Sequence, residues 1–217
     1  MVYLFKNIIF YNINIIPAIY HLCTMYNYYL FYKPYNILSQ FTDEGNKQGY
    51  GSLVTIPKDV YNVGRLDSDS EGLMILTNDK SLNQLLLHPK NAHKRTYYVL
   101  VEGVVTEKAI QQLREGVSIT IDGQSYDTRR ADARIIDTPE LPERNPPVRF
   151  RKTVTDTWIE LKLTEGKNRQ VRKMTAAVGF PTLRLVRVAI GGITMDDPAS
   201  GKLVELTRNF IIQNMDV

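Results

Sequence analysis

The chain of 217 residues reads as an α+β domain built on a largely antiparallel or mixed sheet. Two observations point that way. Short runs of β-branched and aromatic residues, bounded by glycine, proline and asparagine, recur along the chain, and only a few segments between them carry helical signals. No internal repeat and no long linker interrupts the pattern, and the length suffices for one good core or two small ones.

Residues 28–32 form the first expected strand, followed by a loop that starts at Pro34 and reaches Asp43-Glu44-Gly45. Residues 60–63 and 73–76 are apolar runs too short for helices, the second bounded by Gly72 and by Asn78-Asp79. A short helix over 81–87 and a strand over 96–102 come next. Thr106 is a suitable N-cap for a helix through Leu113 that stops near Gly116. Residues 131–136 and 158–163 read as strands, 170–178 as a helix ended by Gly179 and Pro181, and 183–190 and 202–206 as strands.

Residues 1–24 differ in kind, being dense in Ile, Asn, Tyr and Phe with Lys6 the only full charge. A membrane-spanning helix needs about twenty continuous apolar residues, and Asn7, Asn12, Asn14 and Pro17 interrupt this run. Lys6 makes a thin basic region for a secretory signal, with no clear small-x-small cleavage site before Tyr26. The expectation is that translation starts at Met25 and that residues 1–24 are either a mis-assigned start or a disordered extension.

The 27 Lys and Arg exceed the 23 Asp and Glu by only four, an excess that attracts nucleic acid where it is clustered. Clustering occurs between Lys167 and Arg187, where Lys167, Arg169, Arg172, Lys173, Arg184 and Arg187 meet no acid. Val171, Met174, Val178 and Phe180 are interleaved, so one side of the segment can pack while the other meets phosphates. The single cysteine, Cys23, excludes an intramolecular disulfide and fits a reducing cytoplasm.

The run from Gly64 to Asp79 places Asp67 in a loop between two expected strands, where catalytic groups are commonly carried. A solvated turn is one reading of Asp67, Asp69 and Glu71. A calcium loop is another, because Asp67, Asp69, Glu71 and Gly72 match its early positions, but the closing Glu that such a loop requires is Asn78 here.

Gly64-Arg65-Leu66-Asp67, with Ser70-x-Gly72-Leu73 and Thr77-Asn78-Asp79 after it, resembles the catalytic motif of the RNA pseudouridine synthases, in the branch typified by ribosomal small-subunit synthase A. Arg95-Thr96-Tyr97-Tyr98-Val99 is similar to that family's Lys-x-Tyr-x-Val strand, and the stretch from Glu165 to Met174 is similar to its basic third motif. The resemblance runs from about Tyr28 to the C-terminus. The segment from Pro142 to Arg149 looks like the subgroup of large-subunit rRNA pseudouridine synthase E, which lacks an S4 RNA-binding domain. It implies one bent sheet shared by two subdomains over residues 25–217, with the active cleft between them.

The implied chemistry cuts the N-glycosidic bond of a uridine, turns the base and rejoins it through carbon, with no metal, redox cofactor or ATP. By this resemblance Asp67 is the essential carboxylate, attacking the sugar or assisting a glycal route, and Arg169 is the cation that orients it. Tyr97 matches the aromatic residue packed on the uracil, while Tyr98 must face the other side of the strand. The target base has to leave the RNA stack, and Arg65 matches the arginine that fills the gap. Leu185 and Arg187 match an element beneath the uracil. Arg95 stands at the usual lysine position beside Lys94, and Lys167, Arg172 and Lys173 are expected RNA contacts.

Site choice is expected from the segment 142–152, stiffened by prolines and carrying Arg144, Arg149, Arg151 and Lys152. The implied partner is 23S rRNA, naked or in an immature large subunit, met by a cytoplasmic monomer without membrane attachment. A non-catalytic RNA-binding or ribosome-assembly factor on the same fold is the alternative. It predicts loss of the charge pair, whereas Asp67, Tyr97 and Arg169 are all present.

Overall fold

A computed structural model describes residues 26–149 and 155–215. The expected start at Met25, and Arg151 and Lys152 of the proline-rich segment, lie outside the described residues.

The α+β reading holds. Strands β1 (Tyr28–Lys33), β2 (Tyr61–Asn62), β3 (Glu71–Thr77), β4 (Arg95–Glu102), β7 (Asp132–Ile136), β8 (Asp156–Leu163), β9 (Thr182–Ile190) and β10 (Leu203–Glu205) make one sheet, ordered β10-β1-β3-β9-β4-β8-β7 with β2 added to β3. A hairpin of β5 (Ser118–Ile121) and β6 (Gln124–Asp127) stands apart. Helices α1 (Lys80–Leu87), α2 (Glu107–Glu115), α3 (Gln170–Ala177) and α4 (Arg208–Asn214) cover the sheet.

Every strand pairing is antiparallel except β3 with β9, which run parallel for only two pairs, Glu71 with Val186 and Gly72 with Arg187. This short seam joins the two halves of the sheet. Close approach there depends on Gly72, whose φ is 105° and where a Cβ would stand 2.2 Å from the Arg187 carbonyl oxygen. Beyond the seam the strands fork: β2 takes over the edge of β3, and the Arg187 Nε donates to the Leu73 carbonyl at 2.7 Å in place of a strand. A cleft opens in the fork.

All seven residues of β3 are buried, which is why its central run Leu73-Met74-Ile75-Leu76 is apolar on both faces rather than alternating. On one face Phe31, Met74 and Leu76 pack with Val99, Leu161 and Met174; on the other Leu30, Leu73 and Ile75 pack with Leu82 and Leu86 of α1 and Ile211 of α4. Asp79 caps α1 by accepting from the Ser81 and Leu82 amides, and also accepts from Tyr28 Oη and Arg208 Nε. Burial pushes its carboxyl up, but these donors outweigh that and hold it at about 2. Thr106 caps α2 and Gly116 ends it, as the spacing predicts.

Two elements were not legible in the sequence. The β5–β6 hairpin turns at Asp122-Gly123, both in the left-handed region, but its strands are mostly polar and exposed. Helix α4 is only seven residues long, started by Thr207. The strand expected over 60–63 shrinks to a two-residue pairing.

Candidate active site

Leu66-Asp67-Ser68-Asp69 crosses the mouth of the fork between β2 and β3, and each backbone carbonyl in it has a specific donor. Ser39 Oγ donates to Leu66 at 2.6 Å, the Ser70 amide to Asp67 at 3.0 Å, the Asn36 amide to Ser68 at 2.7 Å, and Arg172 Nη2 to Asp69 at 2.6 Å. Ser39 Oγ also accepts from the Leu66 amide at 2.9 Å, so one side chain closes a two-way bridge immediately before Asp67. Lys33, fully buried beneath the loop, donates to the carbonyls of Pro34, Ile37 and Ser68. Burial pushes its ammonium down to about 7, with Glu71, Asp69 and Asp67 pulling the other way.

The cleft above the loop has a volume of about 790 Å³. Asp67, Tyr97 and Arg169 all line it, as do Arg65, Arg95, Lys167, Leu185 and Arg187. Tyr97 is 8% exposed and follows a register shift in the β4–β9 ladder, where Thr96 faces Ala189 and Tyr97 faces Arg187. Such a bulge re-aims side chains. Arg187 is buried, and its Nη2 has no partner among the described residues. Tyr98 does not line the cleft.

Arg169 precedes α3 at φ 53°, ψ 31°, a left-handed conformation that is costly for arginine and characteristic of functional sites. The turn is held by Gln170, which accepts from the Lys167 amide and donates to Glu165, while Glu165 accepts from Tyr126 Oη. The guanidinium departs from the expected pairing. Its fork closes on Asp69, at 3.1 and 2.8 Å, and Nη1 lies 3.7 Å from Asp67 Oδ2. Although burial pushes the Asp69 carboxyl up, Arg169 and Arg172 hold it below its ordinary value.

This division separates the two carboxylates. Both Asp69 oxygens are committed to Arg169, whereas Asp67 faces the cleft with only a long ionic contact among the described residues. Asp67 has the oxygens free to meet a substrate. The sequence offers Asp69 only as part of a solvated turn or a calcium-type loop; its place beside Arg169 follows from a contact across 100 positions that no local pattern reveals.

Two of the expected RNA contacts are engaged within the protein. Arg172 turns inward, with its side chain 14% exposed, hydrogen-bonded to the Asp69 carbonyl and ion-paired with the Asp69 carboxylate at 3.4 Å, because its position on α3 faces the loop. Arg144 lies 4.2 Å over the Tyr35 ring and donates to the Pro146 and Pro147 carbonyls, so its guanidinium stiffens its own segment. Lys173 and Arg149 lie outside the cleft lining, Arg149 at an exposed position. Lys167 sits at the rim, its ammonium 4.9 Å over the Tyr126 ring. Lys33, Ser39, Asp69, Glu165 and Gln170 are the supporting residues that sequence reasoning missed.

No helix among the described residues is long and apolar enough to cross a membrane. A family model described as RNA pseudouridylate synthase matches residues 27–177. Ribosomal large subunit pseudouridine synthase E of Vibrio vulnificus is 49% identical over 178 residues, covering 82% of this chain and 74% of that protein. Its namesake from Xanthomonas axonopodis pv. citri is 52% identical over 167 residues, covering 76% and 85%. A crystal structure of a pseudouridylate synthase superposes with a TM-score of 0.70 at 25% identity, covering 86% of this chain and 73% of that one. Matched across most of the described fold, with the carboxylate loop, the Tyr97 strand and the Arg169 turn meeting in one cleft, the chain belongs to the RNA pseudouridylate synthase family.

Proposed function

We propose that this enzyme converts a uridine of 23S rRNA to pseudouridine, with Asp67 as the reacting carboxylate. The carrying observation is that Asp67 alone of the loop's two aspartates presents uncommitted oxygens to the cleft, on a backbone fixed at every carbonyl from Leu66 to Asp69. The names of the relatives at 49 and 52% identity support the large-subunit RNA as substrate and the synthase E subgroup as this chain's place in the family.

The reaction breaks N1–C1′ and forms C5–C1′, moving one proton from C5 to solvent and returning one to N1. Atoms and electrons balance within the nucleotide. Asp67 acts at the ribose, either as nucleophile on C1′ or as base on the glycal route; both place its free oxygen beside the sugar. Arg169, anchored by Asp69, keeps a positive charge 3.7 Å from that oxygen. Tyr97 supports the uracil face and offers its hydroxyl for the proton at C5, and the unpartnered Arg187 Nη2 donates to a uracil carbonyl. Arg65 at the rim fills the stack vacated by the flipped base. The enzyme acts as a cytoplasmic monomer on 23S rRNA, free or within an immature subunit.

The test incubates unmodified 23S rRNA transcript, and separately immature subunits, with the protein and with Asp67→Asn, then maps carbodiimide adducts by primer extension. One new stop that requires Asp67 is expected. A stop that persists with Asp67→Asn removes Asp67 from the chemistry, and no stop with either protein removes the proposed substrate.

A further inference from the structure

Behind the carboxylate loop lies a second, shallower notch of about 530 Å³, bordered by Tyr35, Asn36, Asn46, Gln48, Glu143 and Asn145. One wall is the proline-rich segment, fixed at two points. Pro142 accepts from Arg184 Nη2 at 2.7 Å, and Arg184 grips both oxygens of Glu71, the first residue of β3. Arg144 is clamped over Tyr35. The other wall is Asn36, at φ 62° with its backbone N–H donating to the Ser68 carbonyl of the carboxylate loop, and the turn carrying Asn46. The side-chain amides of Asn36, Asn46 and Asn145 have no hydrogen bond among the described residues.

We propose that this notch is a second nucleobase site, which reads an unpaired neighbour of the target uridine; the inference rests on the proposed RNA substrate. An asparagine carboxamide sets a donor beside an acceptor, matching the edge of a base, and sequence reading in RNA works on unstacked bases. The lining fits a neutral base better than a phosphate. Glu71 is neutralised by Arg184, the remaining charge is the exposed Glu143, which accepts from an exocyclic amino group, and the Arg144 cation is occupied. The phosphate between the two bases has its own partner: Lys47 lines the catalytic cleft, while its neighbours Asn46 and Gln48 line the notch. A strand leaving the cleft over Lys47 therefore delivers its next base to the amides.

The test uses the full chain and 23S rRNA transcripts in which each nucleotide beside the converted uridine is replaced in turn. The wild type is expected to lose about tenfold in kcat/KM for one such replacement, the scale of a lost bidentate base contact. Asn46→Ala and Asn145→Ala, both at exposed positions that make no contact with the carboxylate loop, are expected to raise KM about tenfold on the natural transcript with kcat unchanged. Both should also lose the wild type's discrimination at that neighbour. A wild type indifferent to every neighbour, or variants that discriminate as the wild type does, overturns the site. If the wild type converts no uridine, the parent reading falls, and the notch is judged by binding: an unchanged Kd of Asn46→Ala for the transcript overturns it and a tenfold rise upholds it.

Discussion

Arg169 is the residue on which the site turns, because it is bound where it is not needed for chemistry and close to where it is. Asp69 supplies the bidentate anchor, so the guanidinium stands at a fixed distance from Asp67 without consuming its oxygens. Asp69→Asn is expected to release the fork and let Arg169 collapse onto Asp67, lowering kcat about a hundredfold, the scale of an ångström-level misplacement, with little change in KM. Single-turnover conversion of the transcript measures it, and wild-type kcat in Asp69→Asn would show that the anchor is dispensable. The motif picks out Asp67, Tyr97 and Arg169 from the sequence because their residue types and order are distinctive. Asp69, Ser39 and Lys33 escape that reading: aspartate and serine are ordinary turn residues, and nothing in Lys33's neighbourhood announces a buried ammonium.

At the scale of elements, the two-pair seam between β3 and β9 decides the geometry of the cleft. A longer ladder would close the fork, and the Arg187 side chain fills the place where the ladder stops. Gly72→Ala combines a left-handed φ with a Cβ 2.2 Å from a backbone oxygen that cannot move without parting the strands. The expected cost is roughly 3 kcal/mol or more, read as a lowered midpoint in urea unfolding. A midpoint within error of the wild type would mean that the seam can yield. The strands of the main sheet were readable because each carries β-branched or aromatic residues against a core. The β5–β6 hairpin was not, since only Ile119 among its residues is buried, and no hydrophobic period marks strands that mostly face water. The inward turn of Arg172 was hidden for a related reason: a run of alternating cations does not tell which face of α3 meets protein.

Over the whole molecule, the buried Lys33 links stability to pH. In the unfolded chain a lysine holds its proton up to about 10.5, whereas in the fold burial brings it to about 7. Between those values the unfolded state binds more proton, so this group makes stability rise with pH across the window and contributes no slope below it. The expected difference between the wild type and Lys33→Met is an unfolding free energy that climbs by a few kcal/mol from about pH 7 to about pH 10.5 in the wild type alone. Parallel curves for the two proteins in urea titrations would place the ammonium in contact with solvent. The contacts that assemble the site share another property, their span along the chain. Arg169 meets Asp69 across 100 positions, Arg172 meets it across 103, and Arg187 reaches Leu73 across 114. In kinetic terms, the entropy of closing such long loops is spent before the first of these bonds exists, so a polypeptide emerging from the ribosome carries its carboxylate long before it carries the means to hold it in place.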